Sequence, residues 1–262
     1  MNAIGSLRFH ARNGIFSMRE NFSDWASGIA GFLMFPFFLF ILSRIWERFS
    51  SFQGNYTREE LLAYLAVTES LFMTFFVGAG ISRGASDFSL SLARPRSWLA
   101  TQFSAAFGRC LGSRLLYTIV SLLTLPLLGV PLELTLKVLG RMLILLPVLG
   151  VLQALTLMLL MSAKVFWEQT QYLVLPLSKI FLALGGVFSP LNDYGEPWRS
   201  WLLPLPPADW FFQPAYWCVR GTPYGLTFNE WILRIALSIA LLLPLNGFFF
   251  RMARSRHQSY GG

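Results

Sequence analysis

The chain has 262 residues, of which 55% are hydrophobic and only 13% are charged. A typical soluble domain has roughly a quarter of its residues charged, and a globule of this size could not bury so much apolar surface beneath a mixed, charged exterior. The composition therefore excludes an ordinary soluble enzyme and a disordered chain, and it predicts an all-α protein of the lipid bilayer. With two cysteines and two histidines, the chain is poorly supplied for a disulfide scaffold or a metal site.

Residues 1–26 predict an amphipathic helix that lies in the membrane interface. Apolar side chains recur three or four residues apart, which places them on one narrow helix face. This stripe consists of Ile4, Leu7, Ala11, Ile15, Met18, Phe22 and Trp25. Arg8, Arg12 and Arg19 flank the stripe, where they can reach lipid phosphates. The alternative is a helix that packs on the chain itself.

Six stretches approach or exceed the roughly 20 apolar residues that a transmembrane helix needs. They are Ser27–Ser43, Leu61–Ile81, Gly112–Val130, Val138–Ala163, Gln171–Phe188 and Glu230–Phe250. Of the 21 lysines and arginines, 12 lie in segments on the N-terminal side of the membrane and 8 on the other side. Because cytoplasmic segments are enriched in these residues, both termini are predicted to be cytoplasmic.

The segment between the second and third spans, residues 82–101, is predicted to be a cytoplasmic loop. Asp87 is a suitable helix start, and Pro95 ends any helix before it. Phe88 and Leu92 are four residues apart and would share one face of this short helix. The flanking arginines are Arg83, Arg94 and Arg96. An apolar knob between arginines suits docking into a groove of a cytoplasmic partner; a solvated connector is the alternative.

The segment 189–229 holds seven of the 14 prolines and four of the nine tryptophans. It is too apolar for a free loop and too broken by proline for a full crossing. It therefore predicts short re-entrant helices at the outer face that close the exit of a path. Trp198 and Trp201 would share one helix face, and Pro204–Pro207 would form the turn between two helices.

Glu69 and Lys179 are the two ionisable residues well inside the predicted spans. Such groups are costly in a bilayer and normally face a bundle interior or a polar path. An interhelix Glu–Lys pair and a role in a substrate path both remain open. The sequence contains no Gly-x-x-x-x-Gly-Lys-Ser/Thr loop, so the chain is not predicted to hold ATP phosphates itself.

Two motifs and the order of the elements resemble those of a known family. The first motif runs from Ile81-Ser-Arg83-Gly84 to Leu92-Ala-Arg94-Pro95, and the second is Gly185-Gly-Val-Phe-Ser-Pro190-Leu, followed by Pro197-Trp198 and Leu203-Pro204. Together with an interfacial helix, six spans and a segment rich in Pro and Trp before the last span, they resemble the membrane subunit of a type-2 ABC exporter. The resemblance to these bacterial ABC-2-type permeases covers nearly the whole chain.

The resemblance implies a permease subunit of the bacterial inner membrane, formed by one transmembrane domain over residues 1–262. Two permease subunits, identical or related, would form the path above a cytoplasmic ABC ATPase dimer. ATP and Mg would be bound by that ATPase, and this chain would have no cofactor, no catalytic residue and no nucleic-acid partner.

The resemblance also assigns roles to particular residues. The coupling residues would be Arg83, Asp87, Phe88, Leu92, Arg94 and Arg96, and the external gate would include Gly185, Gly186, Pro190, Trp198, Trp201 and Pro204. The expected cargo is a lipid, a drug or an amphipathic metabolite. A stand-alone ion-coupled carrier and a membrane scaffold protein are the alternatives.

Overall fold

A computed structural model describes residues 3–23, 35–45, 56–80, 98–164 and 179–259, which form helices and turns with no strand among them. The longer elements are α1 (Ala3–Ser23), α2 (Phe35–Ile45), α3 (Arg58–Gly80), α4 (Trp98–Leu127), α5 (Leu132–Lys164) and α9 (Phe228–Ser259). Between α5 and α9 lie α6 (179–184), α7 (Trp198–Leu202), α8 (Gln213–Arg220), a 3-10 turn (Leu191–Asp193) and a π-helical turn (Ala208–Phe212).

Three described helices are long and apolar enough to cross a membrane, over Leu99–Leu127, Leu132–Leu160 and Phe228–Met252. They correspond to the third, fourth and sixth predicted spans, and α3 covers the second as a helix. Much of the first predicted span and the first half of the fifth lie outside the described residues. The described helices confirm an all-helical architecture, and the full set of six spans stays a prediction.

Helix α3 forms the centre of the bundle. Every residue from 61 to 71 is buried, whichever way its side chain points, as expected for a helix enclosed by others. α3 packs against α4, α5 and α8. Its start is fixed by a capping box, in which the Glu60 amide donates to Thr57 Oγ1 (3.2 Å) and the Thr57 amide donates to Glu60 Oε2 (2.9 Å).

Helices α4 and α5 form a hairpin, and α9 packs along α5. The hairpin turn uses Gly129 at a positive φ of 87°, a conformation that favours glycine. Gly150 of α5 lies so close to Phe107 and Leu111 of α4 that a Cβ there would be 3.2 Å from both side chains. Asn246 Nδ2 of α9 donates to the Leu155 carbonyl oxygen at 2.9 Å, which joins the last helix to α5.

Helix α1 packs lengthwise on the first half of α4. Asn13 Nδ2 donates to the Thr101 carbonyl oxygen (2.9 Å) and to Ser104 Oγ (2.8 Å). At Gly108 the two backbones approach so closely that an added Cβ would overlap the carbonyl oxygen of Gly14. The described part of α4 thus extends from Trp98, inside the predicted loop 82–101, past the predicted span start at Gly112.

Three apolar residues of the α1 stripe, Leu7, Ala11 and Ile15, face away from the rest of the chain. Leu7 is 73% exposed and Ile15 is 55% exposed, whereas Ser17 on the packed side is buried. The structure shows that α1 packs on α4, and its location in a membrane interface stays a prediction. The helix packs on α4 through polar and small residues. Its exposed apolar residues, flanked by the exposed Arg8 and Arg12, lie on the outer side of α1.

The close contact between α1 and α4 predicts that one added methyl group at Gly108 destabilises the fold. Gly108→Ala should lower the free energy of unfolding by about 2 kcal/mol, because the new Cβ meets backbone that cannot move aside. Gly140→Ala in α5 is the matched control, since nothing lies within 4 Å of its added Cβ and alanine favours a helix. Denaturant titration of both variants in detergent micelles measures the difference. Equal stability of the two variants would contradict the packing of α1 on α4.

Candidate functional site

The segment from residue 185 to residue 227, here called the short-helix unit, is tied to the first half of α3 by side chains that bond to its irregular backbone. The Tyr64 hydroxyl donates to the Gly186 carbonyl oxygen. Thr68 Oγ1 donates to the Val187 carbonyl oxygen at 3.0 Å. The Tyr56 hydroxyl donates to Asn192 Oδ1 at 2.9 Å. Buried non-helical backbone needs such partners, so α3 is the support of this turn.

The two glycines at the start of the short-helix unit are required by space and by conformation. A Cβ at Gly185 would lie 2.6 Å from the Phe181 carbonyl oxygen and 2.8 Å from Phe211 Cδ2. Gly186 has a positive φ of 65°, and a Cβ there would be 2.8 Å from Leu191 Cγ. Both glycines and the predicted gate residue Pro190 are buried.

The remaining predicted gate residues lie on the outside of the short-helix unit. Trp198 and Trp201 are 60% and 64% exposed, and their rings meet edge to face with centroids 5.9 Å apart. They share one face of α7, as the sequence predicts. Pro204 is also exposed, in the bend between α7 and the π-helical turn Ala208–Phe212. The predicted gate therefore divides into a buried turn and an exposed aromatic rim.

Arg141 of α5 fixes the end of α8, a role that the sequence did not indicate. Its Nη1 donates to the carbonyl oxygens of Trp217 (3.3 Å), Cys218 (2.9 Å) and Val219 (3.2 Å). These carbonyls belong to the last turn of α8, where helices leave acceptors without partners. Gly221 follows at a positive φ of 88° and lies against the Arg141 guanidinium. The arginine thereby joins the short-helix unit to α5.

Gln213 closes the end of the short-helix unit. Its Oε1 accepts from the Tyr224 amide (2.8 Å) and its Nε2 donates to the Tyr224 carbonyl oxygen (3.0 Å). The side chain is buried, so both ends of its amide are satisfied. The glutamine thus holds the backbone of the loop that leads into α9.

Asp209 and Arg234 form a polar contact between the π-helical turn and α9. Arg234 Nη1 lies 3.9 Å from Asp209 Oδ1, and Trp231 Nε1 donates to the Asp209 carbonyl oxygen at 3.2 Å. Burial raises the pKa of the Asp209 carboxyl from its ordinary value of 3.8 to about 6, and the Arg234 charge opposes this shift.

Glu69 and Lys179 do not meet in the described part of the chain. Glu69 is 1% exposed, and neither of its carboxylate oxygens has a hydrogen-bond partner among the described residues. Lys179 is exposed at the start of α6. Among the described residues Glu69 and Lys179 form no ion pair, and a role of either in a substrate path stays a prediction.

A second buried polar group, centred on Arg114, links three helices near the middle of the bundle. Arg114 Nε of α4 donates to Gln153 Oε1 of α5 at 2.8 Å, and Gln153 Nε2 donates to the Thr74 carbonyl oxygen of α3. Arg114 is 5% exposed. Such contacts join helices in an apolar medium.

The predicted coupling residues all lie outside the described residues. They are Arg83, Asp87, Phe88, Leu92, Arg94 and Arg96. The described helices α3 and α4 end and begin on either side of them, at Gly80 and Trp98. Comparison of the chain with protein-family models and with curated proteins gave no match.

Because α3 supports the short-helix unit, removal of the Tyr64 hydroxyl is predicted to lower the stability of the chain measurably. Tyr64→Phe leaves the buried Gly186 carbonyl without its donor and should lower the free energy of unfolding by about 2 kcal/mol. Tyr117→Phe is the control, because that buried tyrosine makes no hydroxyl hydrogen bond among the described residues. Denaturant titration in micelles compares them, and an equal loss for both variants would argue against the α3 anchor.

The buried Asp209 predicts a pH dependence of stability. Because its pKa is raised in the folded chain, the stabilisation is present below about pH 4 and is lost as the pH rises through about 6. The wild type should therefore gain up to about 3 kcal/mol relative to Asp209→Asn between pH 7 and pH 4. Glu196→Gln is the control, since hydrogen bonds from Ser200 and Arg199 lower the pKa of that exposed carboxyl. A difference between wild type and Asp209→Asn that is flat with pH would contradict the burial of this carboxyl.

Proposed function

We propose that this chain is the membrane subunit of an ATP-driven exporter of the ABC-2 type in the bacterial inner membrane. Two such subunits form the translocation path, and a separate cytoplasmic ATPase dimer supplies the energy. The short-helix unit is the external gate, composed of re-entrant helices. The loop around Phe88 is the contact with the ATPase.

One observation carries this proposal: the short-helix unit and α1 contact opposite ends of the bundle. The short-helix unit rests on the first half of α3, through Tyr64 and Thr68, and on Tyr56 just before it. The start of α3 lies beside the end of α4, where Arg58 approaches Gly129, whereas α1 rests on the first half of α4. α3 is about 35 Å long, which is sufficient to separate an exit from a coupling surface by the thickness of a membrane.

The charges support the same orientation. At the end that carries α1, Arg8, Arg12, Arg19 and Arg251 are exposed. At the other end several basic residues are held by local acids, as in the pairs Lys137–Glu133 (2.6 Å), Arg199–Glu196 (2.7 Å) and Arg220–Glu60 (2.9 Å). The excess of lysines and arginines, 12 against 8, lies on the side of α1. It favours a cytoplasmic location for the α1 end.

Glu69 favours a second candidate function, a stand-alone proton-coupled carrier. A buried acid on a central helix, without a hydrogen-bond partner among the described residues, is a group to which a proton could bind and from which it could leave. Transport by proteoliposomes distinguishes the two candidates. The exporter needs ATP and its ATPase, whereas the carrier needs only a proton gradient and is disabled by Glu69→Gln.

The proposal predicts that Phe88→Asp uncouples the chain from its ATPase. A charge forced unpaired into an apolar groove costs more than the roughly 2–7 kcal/mol of an unpaired neutral polar group, so co-purification with the partner ABC ATPase should fall by more than tenfold. Leu90→Asp is the matched control. It also replaces an apolar side chain with a negative charge, but two residues away and therefore on the far side of the predicted helix.

The two outcomes of this test separate a coupling surface from an ordinary loop. If Phe88→Asp retains its ATPase and transports normally, as Leu90→Asp is expected to do, the loop is not the coupling surface. Membrane insertion should be unchanged in both variants, which excludes a folding defect as the cause.

A further inference from the structure

An apolar groove of about 690 Å³ lies between α2 and the short-helix unit. Its size is in the range of sites that enclose drug-sized ligands, roughly 300–1,000 Å³. The α2 wall is aliphatic and aromatic, from Phe38, Ile41, Leu42 and Ile45. Ile41 and Ile45 are 38% and 44% exposed, so their side chains are accessible to a ligand in the groove.

The opposite wall combines aromatic rings with one acid. Tyr194 and Trp198 line it, and Asp193 is the one ionisable carboxyl among the lining residues. The faces of such rings attract cations. The groove therefore offers a large apolar volume with a single negative charge beside two electron-rich rings.

Asp193 has no ion-pair partner among the described residues. Arg199 pairs with Glu196 at 2.7 Å, and Arg220 pairs with Glu60 at 2.9 Å. Burial raises the pKa of the Asp193 carboxyl to about 6. The shift reflects partial loss of hydration around the charged form, and a cation bound beside the carboxylate would favour that form.

We propose that this groove binds a lipophilic monocation, whose apolar body lies against α2 and whose positive charge lies between Asp193 and the rings of Tyr194 and Trp198. If the chain is the proposed exporter, the bound monocation represents its class of cargo, and in this respect the inference rests on the proposed function. The binding itself requires only this chain. An anion of the same shape is rejected, because it would meet the carboxylate without a counter-charge.

The test uses an isosteric pair of probes, tetraphenylphosphonium and tetraphenylborate. The full chain in nanodiscs of zwitterionic lipid, without any ATPase, is titrated with each probe, and empty nanodiscs provide the background. The wild type should bind the cation at least about tenfold more tightly than the anion, and Asp193→Asn should weaken cation binding by about tenfold. Glu133→Gln is the control, because this exposed acid at the start of α5 lies outside the groove and is paired with Lys137.

A second arm uses the two exposed tryptophans. Trp198→Ala should weaken tetraphenylphosphonium binding, whereas Trp201→Ala should not, although the two side chains are almost equally exposed. Equal binding of cation and anion, no binding of the cation, or unchanged affinity in both Asp193→Asn and Trp198→Ala would overturn the site. None of these results depends on the ATPase, so loss of ATPase coupling in Phe88→Asp remains a separate test of the proposed function.

Discussion

The architecture depends on how irregular backbone is satisfied in apolar surroundings. In the turn that begins at Gly185, carbonyl groups leave the helical pattern and need donors, because there is little water to supply them. Tyr64 and Thr68 of α3 donate to the carbonyls of Gly186 and Val187, and Arg141 of α5 does the same for the last turn of α8. These contacts fix a chain segment that its prolines prevent from forming a continuous helix.

The same contacts distinguish the first half of α3, which holds the short-helix unit, from its last residues. The helix packs against α4, α5, α8 and the π-helical turn, and its described part ends at Gly80, before the predicted coupling residues. A helix held along its length by packed neighbours moves as a rigid body. In the proposed exporter, a displacement at the coupling end would therefore reach the short-helix unit through α3, and the buried turn would transmit it.

Much of this arrangement could be predicted from the sequence, because it follows from composition and period. The prolines and tryptophans of residues 189–229 indicated short helices with a bend near Pro204, and the spacing of Leu7 and Ile15 indicated the stripe that α1 leaves exposed. The roles of Arg141 and Gln213 could not be predicted, since each bonds to backbone that lies far away or across a turn in the sequence. The helical residues of α4 before Gly112 were not predicted for a similar reason. Thr101 and Ser104 are polar, and their partner Asn13 lies far away in the sequence.

The most direct test of the central claim determines on which side of the membrane the predicted coupling loop and the short-helix unit lie. Ser86, in the predicted coupling loop, and Ser200, exposed on α7, are each changed to cysteine. Cys110 and Cys218 are buried, so the wild type serves as the unlabelled background. An impermeant maleimide added to intact cells should label Ser200→Cys, and should label Ser86→Cys only after the membrane is opened. Labelling of both variants from the same side would contradict the account.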